Sequence, residues 1–107
     1  MLGRYDDAQK SFEKAAEMSP QNIDPLLRLG FLFMDENKLD KARNAFQAAA
    51  AIDGKNAALH LILADIALGM KDYANASSEI SYSLNFSRSP QVTSYAEKMK
   101  LIISKKQ

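Results

Sequence analysis

The side chains able to do chemistry in this chain are few and scattered. His60 is the only imidazole, and a lone His on a helix packs or caps far more often than it catalyses. Asp6-Asp7 and Asp35-Glu36 are adjacent acidic pairs at helix ends. They read as residues that complement helix dipoles and face solvent, not as acid/base pairs or metal ligands. The chain has no Cys, which excludes disulfides, zinc fingers and thiolate catalysis. Asn75-Ala76-Ser77 and Asn85-Phe86-Ser87 fit the glycosylation acceptor pattern but fall in helical settings without a secretory signal, and read as chance. Nucleophile–base set, glycine-rich phosphate loop and metal-ligand spacing are all lacking. No catalytic residue, no metal and no cofactor is expected, and the chain reads as a non-enzyme.

The elements that carry these residues are those of one soluble, helix-rich domain. The chain has 107 residues, of which 47% are hydrophobic and 25% charged, close to a globular average. Few Pro and Gly and abundant Ala favour helices. Fourteen basic against thirteen acidic side chains give a net charge of +1, so there is no strong field for nucleic acid or anionic lipid. No apolar run has the length of a membrane span, and the expected setting is cytoplasmic. Lys98, Lys100, Lys105 and Lys106 against Glu97 give residues 91–107 a charge of +3, leaving ten basic and twelve acidic side chains elsewhere. This tail reads as the solvated face of a terminal helix, or else as a surface that touches an acidic partner.

One repeat period, of about 34 residues, organises the chain. Gly3-Arg4-Tyr5-Asp6-Asp7-Ala8, with Phe12, Ala15 and Pro20, recurs as Asn37-Lys38-Leu39-Asp40-Lys41-Ala42, with Phe46, Ala49 and Gly54. It recurs again as Lys71-Asp72-Tyr73-Ala74-Asn75-Ala76, with Ile80, Ser83 and Arg88. Ser83 for Ala and Arg88 for Pro or Gly make the third copy the weakest. Within each period, apolar residues three and four apart predict helices over Asp6–Met18, Asp40–Ile52 and Asp72–Phe86. More apolar helices are predicted over Asp24–Met34 and Asn56–Leu68, with Asp24 as N-cap, Pro25 at the first helical position, and Asn56 as the next cap. The run Leu26–Met34 is apolar nearly all round, so it is buried on several sides or offers one side to a ligand. Gly30 inside it costs about 1 kcal/mol against Ala, which implies close approach of a neighbouring helix. After Ser89-Pro90, the residues Val92, Tyr95, Ala96, Met99, Ile102 and Ile103 form a single apolar stripe, as the last helix of a stack requires.

These residues resemble a tetratricopeptide-repeat protein. Leu29-Gly30, Phe33, Ala42, Phe46 and Ala49 match that family's pattern, Gly54 stands at its usual Pro, and Pro20 closes the preceding repeat. Leu26 and His60 stand where the family often has Trp. The resemblance covers residues 3 to about 90 and implies an all-α superhelix of antiparallel helix pairs. About 2.5 repeats are expected: 1–22 as the second half of a repeat, 23–56 and 57–89 as full repeats, and 90–107 as a capping helix. The chain is expected to be a fragment of a longer array, because its first repeat lacks a first helix.

The resemblance also implies a function. Family members bind a peptide or helix of a partner in a groove lined by the first helices. Carried over, the groove residues are Leu27, Phe31, Met34, Leu61, Asp65 and Leu68, with Asp24 and Ala58 beside them and Tyr95 and Met99 closing the far end. Such a groove is mainly apolar, which suits a helix or extended segment better than an anionic terminus. The Lys, Asn and Arg clamp by which some members hold a C-terminal carboxylate is missing; Arg28 alone cannot form one. The expected partner is a protein or peptide, with no nucleic acid and no membrane. The alternative is self-association through the unpaired first helix, using Tyr5, Phe12 and Ala15.

Overall fold

Apolar residues three and four apart fold into helices wherever the period places them, in a computed structural model that describes residues 2–106. Six helices occupy the described residues: α1 (Leu2–Met18), α2 (Asp24–Asp35), α3 (Leu39–Ile52), α4 (Ala57–Gly69), α5 (Tyr73–Phe86) and α6 (Pro90–Lys106). The fold is all-α, built of antiparallel helix pairs. The chain divides between Asp53 and Gly54 into two compact units, the first holding α1–α3 and the second α4–α6. None of the described helices is long and apolar enough to cross a membrane.

The turn inside each repeat is the same piece of geometry used twice. Asn37 and Lys71, one period apart in the sequence, have φ of 59° and 61°. After α2, Lys38 N–H donates to the Phe33 carbonyl (2.8 Å) and Asn37 N–H to that of Met34 (2.9 Å). After α4, Asp72 N–H donates to Ala67 (2.8 Å) and Lys71 N–H to Leu68 (3.0 Å). These paired bonds are the Schellman arrangement, which closes a helix through one left-handed residue and satisfies its last carbonyls. Chain reversal at each period therefore follows from a fixed hydrogen-bond pattern, and it sets α3 against α2 and α5 against α4.

Two helix starts differ from expectation. α1 begins at Leu2 rather than at Asp6. In α2 the cap is Ile23, Asp24 is already helical, Pro25 is the second helical residue, and Asn22 Oδ1 accepts the Asp24 N–H at 3.1 Å. A residue without an N–H fits anywhere in the first turn, so Pro25 marks the turn without fixing the cap. Asn56 does cap α4, its side chain accepting from Leu59 N–H at 3.1 Å.

In the first unit, α2 lies against both α1 and α3, and Leu29, Phe33, Ala42, Phe46 and Ala49 are buried. The close approach expected at Gly30 is made by Phe46. A Cβ on Gly30 would stand 2.6 and 2.7 Å from the two Cε atoms of that ring, and closer still to its Cζ. In the second unit, α4, α5 and α6 all touch one another. Ala64, Ala67, Ala76, Ile80, Ala96, Met99 and Ile103 form one core cluster there. Ser83, which the repeat pattern marks as a weak substitute for Ala, is completely buried, and its hydroxyl donates to the Ala57 carbonyl at 2.9 Å. That bond fastens α5 to the first turn of α4.

The terminal helix departs from the single stripe expected of it. Ala96, Met99 and Ile103 are buried, but Tyr95 is 50% exposed, Ile102 46% and Leu101 64%. Only the strip facing α4 and α5 is covered, so Tyr95 and Ile102 fall on its shoulder.

Candidate functional site

The first helices of the two repeats carry equivalent faces. Leu27, Phe31 and Met34 on α2 have spacings of four and three, and Leu61, Asp65 and Leu68 stand at the same places one period later on α4. Such spacings put each trio on one side of its helix. None of the six is fully buried: Phe31 and Asp65 are exposed, and the four others are half-buried.

In the first unit the prominent group is Phe31. Its ring is 48% exposed yet fixed, lying edge-on to the buried Phe46 at a centroid distance of 5.1 Å and an interplanar angle of 74°. Edge-to-face geometry of this kind is favourable beyond the area it buries. Phe12 of α1 and Arg28, Phe31, Leu32 and Asp35 of α2 line a hollow of about 250 Å³ beside it. An apolar floor between one cation and one carboxylate can receive an apolar side chain and hold the polar groups next to it. Phe12 therefore lines this hollow with α2; Tyr5 and Ala15 are half-buried on α1.

In the second unit Leu61 and Leu68 pack on the core cluster. Leu61, Ile62 and Asp65 of α4 and Tyr95 of α6 line a second hollow of about 250 Å³. The carboxylate of Asp65 replaces the aromatic anchor of the other repeat, so this face offers apolar contact plus one hydrogen-bond acceptor. Met99 lies in the core cluster at 3% exposure and does not close a groove. Ile62 is a contributor that the groove expectation omits; it is found only by seeing which side chains meet Tyr95.

His60 is occupied on both nitrogens. Nδ1 is 3.0 Å from Glu79 Oε1 and Nε2 is 2.6 Å from the Gly54 carbonyl oxygen. Its ring lies 5.2 Å from that of Tyr82. At 8% exposure it ties α4 to α5 and to the loop before α4, which is a packing role. Among the described residues no group of three or more His, Asp or Glu side chains is placed to hold a metal ion.

Antiparallel helix pairs closed by one turn that recurs each period, with Gly30 at a close approach to Phe46, define a tetratricopeptide-repeat fold. The chain contains such repeats in sequence as well: residues 1–47 match the tetratricopeptide-repeat family model. No curated protein sequence matches. Solved structures do. The type III secretion translocator chaperone SycD of Yersinia enterocolitica is similar over 98% of this chain and 75% of its own, with TM-score 0.86 and 21% identity. SycD in complex with a peptide of the translocator YopD is similar over 99% and 85%, with TM-score 0.79 and 24% identity. PcrH in complex with the chaperone-binding region of PopD is similar over 96% and 78%, with TM-score 0.76 and 19% identity. At these identities the likeness is one of fold.

Proposed function

We propose that the protein is a non-enzymatic interaction module that holds a peptide or helix of a partner protein against the first helices of its repeats, α2 and α4. Leu27, Phe31 and Met34 supply one set of contacts, and Leu61, Asp65 and Leu68 the other. The observation that carries this reading is Phe31, a large ring left half in water yet locked against Phe46. An aromatic held rigid before binding loses little conformational freedom when a partner covers it. The peptide complexes of SycD and PcrH support it, because those proteins share the fold and hold segments of other proteins. Repeat boundaries at 1–22, 23–56, 57–89 and 90–107, a groove along the first helices and a cytoplasmic setting belong to the same proposal.

The test is affinity selection from a displayed peptide library, followed by anisotropy titration of the enriched peptides. Peptides with spaced apolar anchors are expected, and Phe31→Glu should weaken them at least about ten-fold, as loss of an interface anchor does, with far-UV helicity unchanged. Selection of no peptide, or binding indifferent to Phe31→Glu, overturns the proposal.

A further inference from the structure

We infer that the exposed shoulder of α6 is a docking surface for an acidic amphipathic helix of the partner protein. The inference rests on the peptide-binding reading above and names the chemistry of the segment bound. Tyr95, Lys98, Ile102 and Lys105 are spaced three, four and three residues apart, so they run along one side of the helix, apolar and basic in alternation. All four are exposed, Tyr95 at 50% and Ile102 at 46%. A solvated cap needs the lysines but has no use for two large apolar side chains beside them. Isolated apolar residues on a surface are ordinary. Tyr95 and Ile102 instead stand two turns apart on one face, and Tyr95 lines the hollow with Leu61, Ile62 and Asp65 of α4. The shoulder therefore continues a face already assigned to binding.

Charge selects the occupant. Among the described residues Lys98 and Lys105 form no ion pair, and the only carboxylate on α6 is Glu97. The acidic group facing the near end is Asp65. A complementary ligand has an apolar stripe for Tyr95 and Ile102, with Asp or Glu along the edge that meets Lys98 and Lys105. A helix presents such a stripe and edge at the same periodicity.

The test uses two synthetic amphipathic helical peptides with one apolar stripe, flanked by Glu in one and by Lys in the other. The whole protein and its Lys98→Glu/Lys105→Glu variant are titrated with each by fluorescence anisotropy. Both lysines are exposed, so the variant keeps its packing, and circular dichroism checks this. The Glu peptide is expected to bind the unchanged protein, to weaken as salt rises, and to lose about ten-fold in affinity to the variant as two surface attractions become repulsions. The Lys peptide should bind the variant better than the unchanged protein. Equal binding of the two peptides, or a variant that keeps full affinity for the Glu peptide, overturns the inference. So does lysine-dependent sedimentation with phosphatidylserine vesicles in the absence of peptide binding, which would make a lipid surface the occupant. Lysine-dependent dimerisation in light scattering without peptide binding overturns it in favour of a second copy of the chain. Loss of library peptides on Phe31→Glu, with the Glu peptide unaffected by the lysine variant, removes this inference and leaves the broader proposal standing.

Discussion

Gly30→Ala isolates the packing that holds the first unit together. The new Cβ would meet three atoms of the Phe46 ring, two of them at 2.6 and 2.7 Å. That ring is completely buried, so neither it nor α2 can give way without moving the other. Overpacking of this kind costs about 1–3 kcal/mol, and a rigid ring with no free volume puts the cost at the upper end. Ala recovers about 1 kcal/mol through helix propensity. The net loss is about 2 kcal/mol, which lowers Tm by about 10 °C for a domain of this size. Thermal melting followed by far-UV circular dichroism reads it. Phe46→Leu shortens the side chain at the clash, so the double variant Gly30→Ala/Phe46→Leu should be less destabilised than the sum of the two singles, by about 1 kcal/mol. Phe31 leans edge-on against the same ring, so Gly30→Ala should also weaken any peptide that Phe31 anchors. A Tm that stays put or rises in Gly30→Ala, or strict additivity in the double variant, would refute the packing argument.

Three further outcomes are expected. Ser83→Ala removes the buried bond to the Ala57 carbonyl and should cost about 1 kcal/mol, with peptide affinity unchanged; chemical denaturation measures it. His60→Leu leaves the Gly54 carbonyl and the largely buried Glu79 carboxylate without their partner and should cost about 2 kcal/mol, whereas His60→Gln, which keeps one donor, should cost less in the same assay. If α1 self-associates through Tyr5, Phe12 and Ala15, light scattering gives a dimer mass that Phe12→Ser reduces to the monomer; a monomer mass at high concentration excludes that alternative.

The repeat was legible because its parts sit at fixed distances along the chain. Ala42, Phe46 and Ala49 lie at the spacing of a covered helix face, and Asn37 and Lys71 mark the turn because the same backbone reversal recurs there. Gly30 announced a close approach, and Phe46 supplied it. The rest depended on distances across the fold. Tyr95 and Ile102 share a stripe with Ala96 on a helical projection, but the stripe's width says nothing about how much of it neighbours cover. Among the described residues α4 and α5 alone lie against α6, and its shoulder stays in water. Ser83 read as a defect because its acceptor, the Ala57 carbonyl, lies on another helix. His60 gave no hint of its two partners, since Glu79 and the Gly54 carbonyl come together only once α4 and α5 have packed. Asp24 suits a helix cap by type, but Pro25 fits any place in the first turn, so nothing in the sequence held the cap at Asp24 rather than Ile23.

Amide NMR titration with a library-selected peptide tests most directly whether α2 and α4 present the binding faces. Saturable shifts should gather on residues 27–34 and 61–68, largest around Phe31, and should vanish in Phe31→Glu while the rest of the spectrum stays folded. Shifts confined to the exposed residues of α3 and α5, such as Gln47, Ser81 and Tyr82, would contradict it.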